Sequence, residues 1–307
     1  MQPDPLTERH HLVTRGYQQN FADDQKRIAV VSTSTGKVID AARPIKSNFV
    51  APGYTAHVTP SGEAVATLEH EFAKVERSMT DQIRRASPTY LGETTRQAII
   101  TLFAMHLVRS PSFLATHERI AQEVVEERVP RLIEREGLLQ NYRQQFGASA
   151  TVTEMQNHVR DLWAEMLEGN RMHVDGMIRQ YNTLLDYLSR FHIQLLTVGI
   201  PDYGFVLSDV PVVHANTAAK RYGFRDGLGV AEADLFIGPL TRTTAALFSC
   251  HRERHETFRV KKKLDRINAV FVRAANAEIA CHPADALALT RLWRRLDRTP
   301  TPPLRAA

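Results

Sequence analysis

The chain has 307 residues, of which 43% are hydrophobic and 24% are charged. These values are typical of a globular protein with a full core, and they exclude collagen-like, disordered and membrane-embedded chains. The longest apolar run, 98–108, is too short to cross a bilayer, and no apolar signal segment follows Met1. Cys250 and Cys281 are the only cysteines, which excludes a disulfide framework. We therefore expect a cytoplasmic protein with no membrane partner.

The net charge of +5 is distributed unevenly along the chain. The segment 252–305 contains 13 lysine and arginine residues against 6 aspartate and glutamate residues, whereas the rest of the chain is slightly acidic. Solvated helix surfaces are the simpler interpretation of this basic C-terminal segment. The alternative is a surface that binds nucleic acid or another polyanion.

Residues 1–60 have the pattern of strands and turns. An apolar run at 28–31 is followed by Gly36, which tolerates a positive φ, and by a second apolar pair at 38–39. This pattern predicts a β-hairpin. The Pro-Gly dipeptide at 52–53 predicts a turn near the end of the region.

Residues 62–196 have helical periodicity almost throughout. Apolar residues recur every three or four positions over 68–83, and 98–108 is apolar on nearly all sides, as in a buried central helix. Pro111 interrupts this pattern, because the residue before a proline avoids helical geometry. We expect Ser112 to cap the helix that follows.

Over residues 199–250 the pattern returns to β-strands and includes a hairpin of 234–238 with 244–248. Two helices are predicted within 264–296, and the proline-rich residues 298–307 are predicted to form a flexible tail.

Strand regions on both sides of a helical block favour an α+β fold over alternating βαβ units. We predict one α+β domain over 1–307, in which the N-terminal and C-terminal β regions form one small sheet. The first C-terminal helix is predicted to cover 264–280.

Short motifs spread along the chain carry a family resemblance. They are His11, Val13, Arg15, Tyr17, Asn20 and Phe21; Arg109-Ser110-Pro111; Ser208-Asp209-Val210-Pro211; Pro239-Leu240-Thr241; and Ile267-Asn268. In this order and spacing the motifs resemble an uncharacterised bacterial family, catalogued as domain of unknown function 4238, over roughly residues 10–280. The resemblance implies an α+β domain and no particular chemistry. Thr14 stands where the family pattern has a proline.

The N-terminal motif places an imidazole and a guanidinium close together. If a strand starts at Leu12, its alternation puts His11, Val13 and Arg15 on one face. Such a face suits general-base catalysis and anion binding. The structural alternative is that His11 bonds to a backbone carbonyl and that Arg15 pairs with an acid of the helical block.

Arg109, Ser208 and Asp209 are the polar residues of the later motifs. Asp209 ends a predicted strand, which is a typical position for a catalytic carboxylate and equally for an Asx turn. Arg109 follows a helix, where it either complements the helix dipole or binds an anion. Ser208 lacks the Gly-x-Ser-x-Gly elbow of a nucleophile, and we place it among the substrate-binding residues.

Two acids and several metal-type ligands complete the candidates. Glu69 and Glu76 share a helix face and predict either a pair of acidic helpers, which would permit a divalent metal ion, or a solvated acidic surface. The sequence has no His-Glu-x-x-His signature. Zinc-type ligands occur without a Cys-x-x-Cys spacing, which disfavours a zinc site. These ligands are Cys250, His251, His255, Cys281 and His282.

Together these residues predict an acid/base hydrolase that acts on an ester or a phosphodiester, nucleic acid included. His11 would be the general base, and Asp209 would orient it or bind a metal ion. Arg15 and Arg109 would hold the anionic part of a small or polymeric substrate. No glycine-rich nucleotide-binding motif is present, and the pattern indicates no oligomeric state.

Two other functions fit the same sequence. One is a non-catalytic regulatory protein whose basic C-terminal segment binds nucleic acid or a protein. The other is an enzyme that modifies small molecules in an apolar pocket of the helical block. That pocket would be lined by Met155, Trp163, Met172, Met177 and Tyr181.

Overall fold

The computed structural model describes residues 9–59, 63–65, 67–86, 91–128, 131, 136–168, 171–251 and 255–296. The predicted tail, 298–307, lies outside these residues.

The helices of the described residues are numbered α1 to α9 in chain order. They are α1 (Arg15–Gln18), α2 (Thr67–Arg84), α3 (Glu93–Val108), α4 (Pro111–Glu123), α5 (Glu136–Phe146), α6 (Val152–Glu168), α7 (Arg171–Leu188), α8 (Lys261–Ala274) and α9 (Ala286–Arg295). A π-helical turn, Val124–Arg128, continues α4.

The strands lie before and after the long helices. They are β1 (Arg9–His11), β2 (Arg27–Ser32), β3 (Val38–Pro44), β4 (Val50–Pro52), β5 (His57–Val58), β6 (Ala64–Val65), β7 (His192–Val198), β8 (Leu207–Ser208), β9 (Val213–Asn216), β10 (Arg221–Tyr222), β11 (Leu235–Pro239), β12 (Thr244–Ser249), β13 (Glu256–Phe258) and β14 (Glu278–Cys281).

The strands form two main sheets and two short ribbons. The larger sheet has the order β10-β9-β11-β12-β7-β13 and is antiparallel except for the β13–β7 pair. The smaller sheet has the antiparallel order β3-β2-β14-β8. The ribbons are β1 with β4 and β5 with β6. The predicted α+β class and both predicted hairpins, β2–β3 and β11–β12, are confirmed.

The prediction that the two β regions share one small sheet is wrong. Only β8 of the later region joins the N-terminal strands, and it does so through β14. The other later strands pair among themselves and with β7. The reason is that β14 supplies a central strand where the sequence pattern predicts the end of a helix.

Two predicted helix ends are also wrong. The helical block was expected to continue to residue 196, but α7 ends at Leu188 and residues 192–198 form β7. The helix expected over 264–280 covers Lys261–Ala274, and its predicted last turns are the loop before β14 and that strand. In both places pairing with strands distant in sequence overrides local helical preference.

The break between α3 and α4 is confirmed at Pro111, where the two helices bend by 53°. Pro111 occupies the first turn of α4, and the helix is capped by Ser110, whose hydroxyl accepts the Phe113 amide at 3.1 Å. The expected cap at Ser112 is therefore wrong by two positions. A proline is favoured in the first turn because no intrahelical donor is lost there.

One apolar core connects the different parts of the chain. Residues Phe21, Phe103, Phe236 and Phe271 come from the N-terminal region, the helical block, the large sheet and the C-terminal helices, and all belong to this core. Helix α3 runs through it with most of its side chains buried. Within the described residues, no single helix has the length and apolar composition of a membrane span, although the bent pair of α3 and α4 passes that test together.

Candidate functional site

The N-terminal motif is fixed to the body of the protein by a short ribbon. His10 and His11 of β1 pair with Ala51 and Val50 of β4, and the Leu12 amide donates to the Phe49 carbonyl at 2.7 Å. Backbone pairing of this kind prevents a chain end from fraying.

Arg15 lies next to His11 for a different reason from the one expected. The predicted strand through Leu12 and Val13 stops at His11, and Arg15 begins α1. Arg15 Nε nevertheless donates to His11 Nε2 at 3.2 Å, because the turn between them brings residues four positions apart together. The Arg15 side chain is exposed whereas His11 is buried, so the hydrogen bond joins a surface guanidinium to a buried imidazole.

His11 is a neutral imidazole at pH 7. Its pKa is lowered to about 4, mainly by burial and in addition by the nearby charges of Arg15 and Arg109, whereas Glu69 and a backbone hydrogen bond with Lys46 partly oppose this shift. Burial disfavours a charge that would lose its hydration, and adjacent cations repel a proton. His11 is therefore a neutral acceptor whose Nε2 is hydrogen-bonded to the Arg15 guanidinium.

Arg109 is a fully buried arginine at the end of α3. Its Nη2 donates to the Glu69 carboxylate at 2.8 Å and also to the backbone carbonyl of His11. The guanidinium carbon lies 5.2 Å from the centre of the Phe72 ring. A buried charge is tolerated only when it is paired and hydrogen-bonded. Arg109 thus ties α2 and β1 together.

Glu69 joins the buried arginine to a second polar chain. Its Oε2 accepts from the Thr55 hydroxyl at 3.1 Å, and the Thr55 amide donates to His10 Nδ1 at 3.0 Å. The Glu69 side chain is 26% exposed, so the carboxylate reaches solvent while Arg109 holds it. We call His10, His11, Arg15, Glu69 and Arg109 the N-terminal polar cluster.

The second predicted acid, Glu76, also faces the N-terminal segment. Its Oε1 accepts the Gly16 amide at 2.8 Å. A Cβ atom on Gly16 would lie 2.9 Å from that oxygen and 2.8 Å from Thr80 Oγ1, so a larger residue here would displace the side chains of Glu76 and Thr80. The shallow groove here is also lined by Thr14, whose buried hydroxyl has no hydrogen-bond partner among the described residues.

Asp209 binds the backbone of the segment between α8 and β14. Its carboxylate accepts the amides of Asn276 and Ala277 at 2.8 and 2.7 Å, where the chain passes from α8 to β14. Burial raises the pKa of Asp209 to about 6, against these amide contacts, which lower it. No hydrogen bond links Asp209 to His11 in the described residues. The arrangement therefore shows an anchor for the loop between α8 and β14.

Ser208 is committed to a local turn. Its hydroxyl donates to the Val210 carbonyl at 2.8 Å and accepts the Val210 amide at 3.2 Å. Ser208 is fully buried in β8. The Asx-type turn expected of Asp209 is thus made by the neighbouring serine.

The zinc-type ligands are spread over separate elements. His255 Nδ1 accepts the Leu195 amide, and His282 Nδ1 accepts the Ala284 amide. Cys250 is exposed and Cys281 is buried. In the part of the chain that the structure describes, no three histidine, cysteine, aspartate or glutamate side chains form a group that could hold a metal ion.

The apolar residues proposed for a small-molecule pocket are used in packing. Met155 and Met177 are buried, and Met177 belongs to the main core. Tyr181 packs edge-on against Phe72, with ring centres 5.7 Å apart. This arrangement favours a structural role for the stripe.

The sequence pattern missed Thr55 and Gly16. Thr55 follows the turn at 52–53 and has no periodicity that indicates a role. Gly16 follows the paired Arg15, and a glycine between two helix-compatible residues could have indicated a close backbone approach. The contacts of both residues can be recognised only when β4 and α2 are packed beside the N-terminal segment.

Comparison with family models agrees with the architecture and with the position of these motifs. A family model described as "Protein of unknown function (DUF4238)" matches residues 9–285. The chain belongs to this family. The match starts at β1 and includes the whole N-terminal polar cluster. Searches of the curated proteins and of the solved structures found no match.

Proposed function

We propose that the protein is an acid/base hydrolase that acts on an ester or a phosphodiester at the N-terminal polar cluster. The observation that supports this most strongly is the neutral His11 imidazole, which contacts an exposed Arg15 and lies close to the charges of Glu69 and Arg109. Titratable groups with strongly shifted pKa values concentrate at functional sites.

Arg15 is proposed to bind the anionic group of the substrate. An anion on its guanidinium would compete with His11 Nε2 for the Arg15 Nε proton and would offset the positive charge that lowers the His11 pKa. The pKa of His11 would then rise toward the range in which a histidine works as a general base. Substrate binding would thus both free and activate the base.

Glu69 takes the orienting role first assigned to Asp209. Its charge favours protonated His11, and Arg109 fixes its position. A water molecule that attacks the ester would lose its proton to His11, and the carboxylate of Glu69 would stabilise the imidazolium that forms. As the bond to the alcohol breaks, the imidazolium would give this proton to the leaving oxygen. Asp209 and Ser208 are proposed to stabilise the fold around β8.

Glu69 and Glu76 are the residues that would bind a divalent metal ion if the reaction uses one. Glu69 and Glu76 both lie on the side of α2 that faces the N-terminal segment, and carboxylate oxygens suit magnesium or manganese. The site of action is proposed to be the cytoplasm, where two free cysteines are the common state.

Hydrolysis of bis-p-nitrophenyl phosphate and p-nitrophenyl acetate, each with EDTA, Mg²⁺ or Mn²⁺, tests this proposal. We expect His11→Asn to lower kcat by about 100-fold or more, the usual contribution of a general base. Arg15→Gln should mainly raise KM for the phosphodiester. The matched control is Glu71→Gln, an exposed residue of α2 whose ion-pair partner among the described residues is Lys74.

The pH profile separates this mechanism from an ordinary histidine base. Because free His11 has a pKa of about 4, kcat/KM should stay level between pH 8 and 6 in the wild-type enzyme. Arg15→Gln should move the acidic limb toward neutral pH. The proposal fails if neither substrate is hydrolysed above the rate of the His11→Asn variant.

A further inference from the structure

Between residues 255 and 296, where the structure describes every residue, the acids are all used in ion pairs. Residues 255–296 contain four acidic side chains, and each has a basic partner within 3.0 Å. The pairs are Glu256 with Lys263, Asp265 with both Lys261 and Arg295, Glu278 with Arg43, and Asp285 with Arg242. The acidic charge of this region is therefore already balanced inside the fold.

A set of exposed cations is left over. Each has an exposed side chain and makes no ion pair with any residue that the structure describes. They are Arg259, Lys262, Arg266, Arg273, Arg291 and Arg294. We call these six residues the C-terminal basic surface.

The cations of α8 form a single stripe. Lys262, Arg266 and Arg273 are four and seven residues apart, which places them within an arc of about 40° at 3.6 residues per turn. At a rise of 1.5 Å per residue they extend over about 16 Å along the helix. The opposite face of α8 is buried, with Leu264 and Phe271 fully enclosed. The stripe is thus a continuous outward face.

Helix α9 adds its cations beside this stripe. Arg295 of α9 reaches across to Asp265 of α8 at 2.8 Å, and the same carboxylate holds Lys261 at 2.8 Å. Asp265 is itself almost buried, so this bridge fixes the two helices to each other. Arg291 and Arg294 lie one turn apart on the exposed side of α9. The exposed cations of α9 are therefore carried by a helix that is fixed beside the stripe of α8.

We propose that the C-terminal basic surface binds the phosphate backbone of a nucleic-acid duplex. Five of its six cations are arginines, whose planar guanidinium forks bind phosphate oxygens in pairs. The regular rows on rigid helices suit the regular spacing of phosphates on a duplex. This surface shares no residue with the N-terminal polar cluster, and the proposal does not depend on hydrolysis.

The aromatic and apolar residues of the two helices favour a duplex over other polyanions. Phe271 is buried, and Trp293 donates its indole N–H to the Thr33 carbonyl at 3.1 Å. Neither ring is free to stack on the bases of a single strand. Only isolated apolar side chains, Val260 and Leu287, are exposed, whereas insertion into a lipid surface needs a continuous apolar face.

Fluorescence anisotropy with a labelled 20-base-pair DNA duplex tests the proposal. Three to six phosphate contacts should give a slope of log K against log salt of about −3 to −5, because each contact releases condensed counterions. Affinity should therefore fall by about 60-fold or more between 50 and 200 mM NaCl.

Charge reversal identifies the surface. The triple variant Lys262→Glu, Arg266→Glu, Arg273→Glu should weaken duplex binding by at least about 10-fold. The matched control, Arg160→Glu, Arg179→Glu, Arg190→Glu, changes the same charge on exposed residues of α6, α7 and the turn after α7, and should weaken it far less. Circular dichroism melting confirms that both triples fold.

Three results would overturn the proposal. They are no duplex binding at 50 mM NaCl, an equal loss in the two triple variants, or equal or tighter binding to phosphatidylserine vesicles that the α8 triple abolishes. The last result would show that the surface recognises an anionic lipid surface.

Discussion

Replacing Arg109 with methionine tests the electrostatic centre of the N-terminal polar cluster. Methionine keeps most of the length and apolar contact of the side chain and removes its charge. The Arg109 side chain is 1% exposed, and its partner Glu69 is 26% exposed, so the variant leaves a carboxylate only partly hydrated. The carbonyl of His11 also loses its donor.

The cost follows from this burial. Breaking a buried ion pair by removing one partner costs roughly 3–5 kcal/mol, and the partial exposure of Glu69 favours the lower limit. We expect Arg109→Met to lower the free energy of unfolding by about 3 kcal/mol at pH 7. The double variant Arg109→Met, Glu69→Gln should lose less than the single variant, because no unpaired charge is left in place.

Urea unfolding, followed by circular dichroism, measures these differences as shifts in the urea concentration at the midpoint, with the m-value unchanged. The control is Arg119→Met, which breaks an exposed pair with Glu123 on α4 and should cost less than about 0.5 kcal/mol. A loss below 1 kcal/mol for Arg109→Met would refute the reasoning. So would a double variant whose loss equals the sum of the two single losses.

Other predictions concern a turn and two buried titratable groups. Gly36→Ala places a Cβ 2.1 Å from the Trp293 ring at a φ of +65°, and it should lower the free energy of unfolding in urea by about 2–4 kcal/mol. The control Gly223→Ala, at a φ of +69° with no atom within 4 Å of the new Cβ, should lower it by only about 1 kcal/mol. Equal losses in the two variants would contradict the steric argument. Burial lowers the pKa of His173 to about 3. Below about pH 6.5 this histidine is therefore protonated in the unfolded chain but not in the folded one, so the stability of the fold falls as the pH drops. His173→Phe should reduce this fall by up to about 1.4 kcal/mol per pH unit when unfolding is measured between pH 6.5 and 4.5. Asp209 acts in the opposite direction, since its pKa is raised to about 6. Its stabilising contribution is present below about pH 4 and is lost as the pH rises through 6. Asp209→Asn should remove this pH dependence, and an unchanged slope of stability against pH would show that Asp209 does not cause it.

The sequence predicts the fold where local pattern and tertiary environment agree. A continuous apolar run and a turn glycine correctly indicate the β2–β3 hairpin, and the proline after α3 correctly indicates a helix break. The pattern fails at β7 and β14. Each is a central strand between two partners, and its identity depends on pairing with residues far away in sequence.

The candidate site is predictable to a similar extent. Spacing puts Glu69 and Glu76 on one helix face, but it does not indicate that Glu69 binds Arg109 or that Glu76 accepts the Gly16 amide. The spacing between motifs does not show that Asp209 binds backbone amides at the start of β14, since those amides become available only after α8 ends. Contacts between side chain and backbone across 60 residues or more leave no trace in a single sequence.

The pKa of His11 tests the central claim most directly. NMR titration of the histidine side chains, with His11→Gln to assign the signal, gives this pKa in the absence and presence of inorganic phosphate. We predict a value of about 4 in the free protein and a higher value with phosphate, and in Arg15→Gln the response to phosphate should disappear. A pKa near 6.5 in the free protein, or one that phosphate leaves unchanged, would contradict the account.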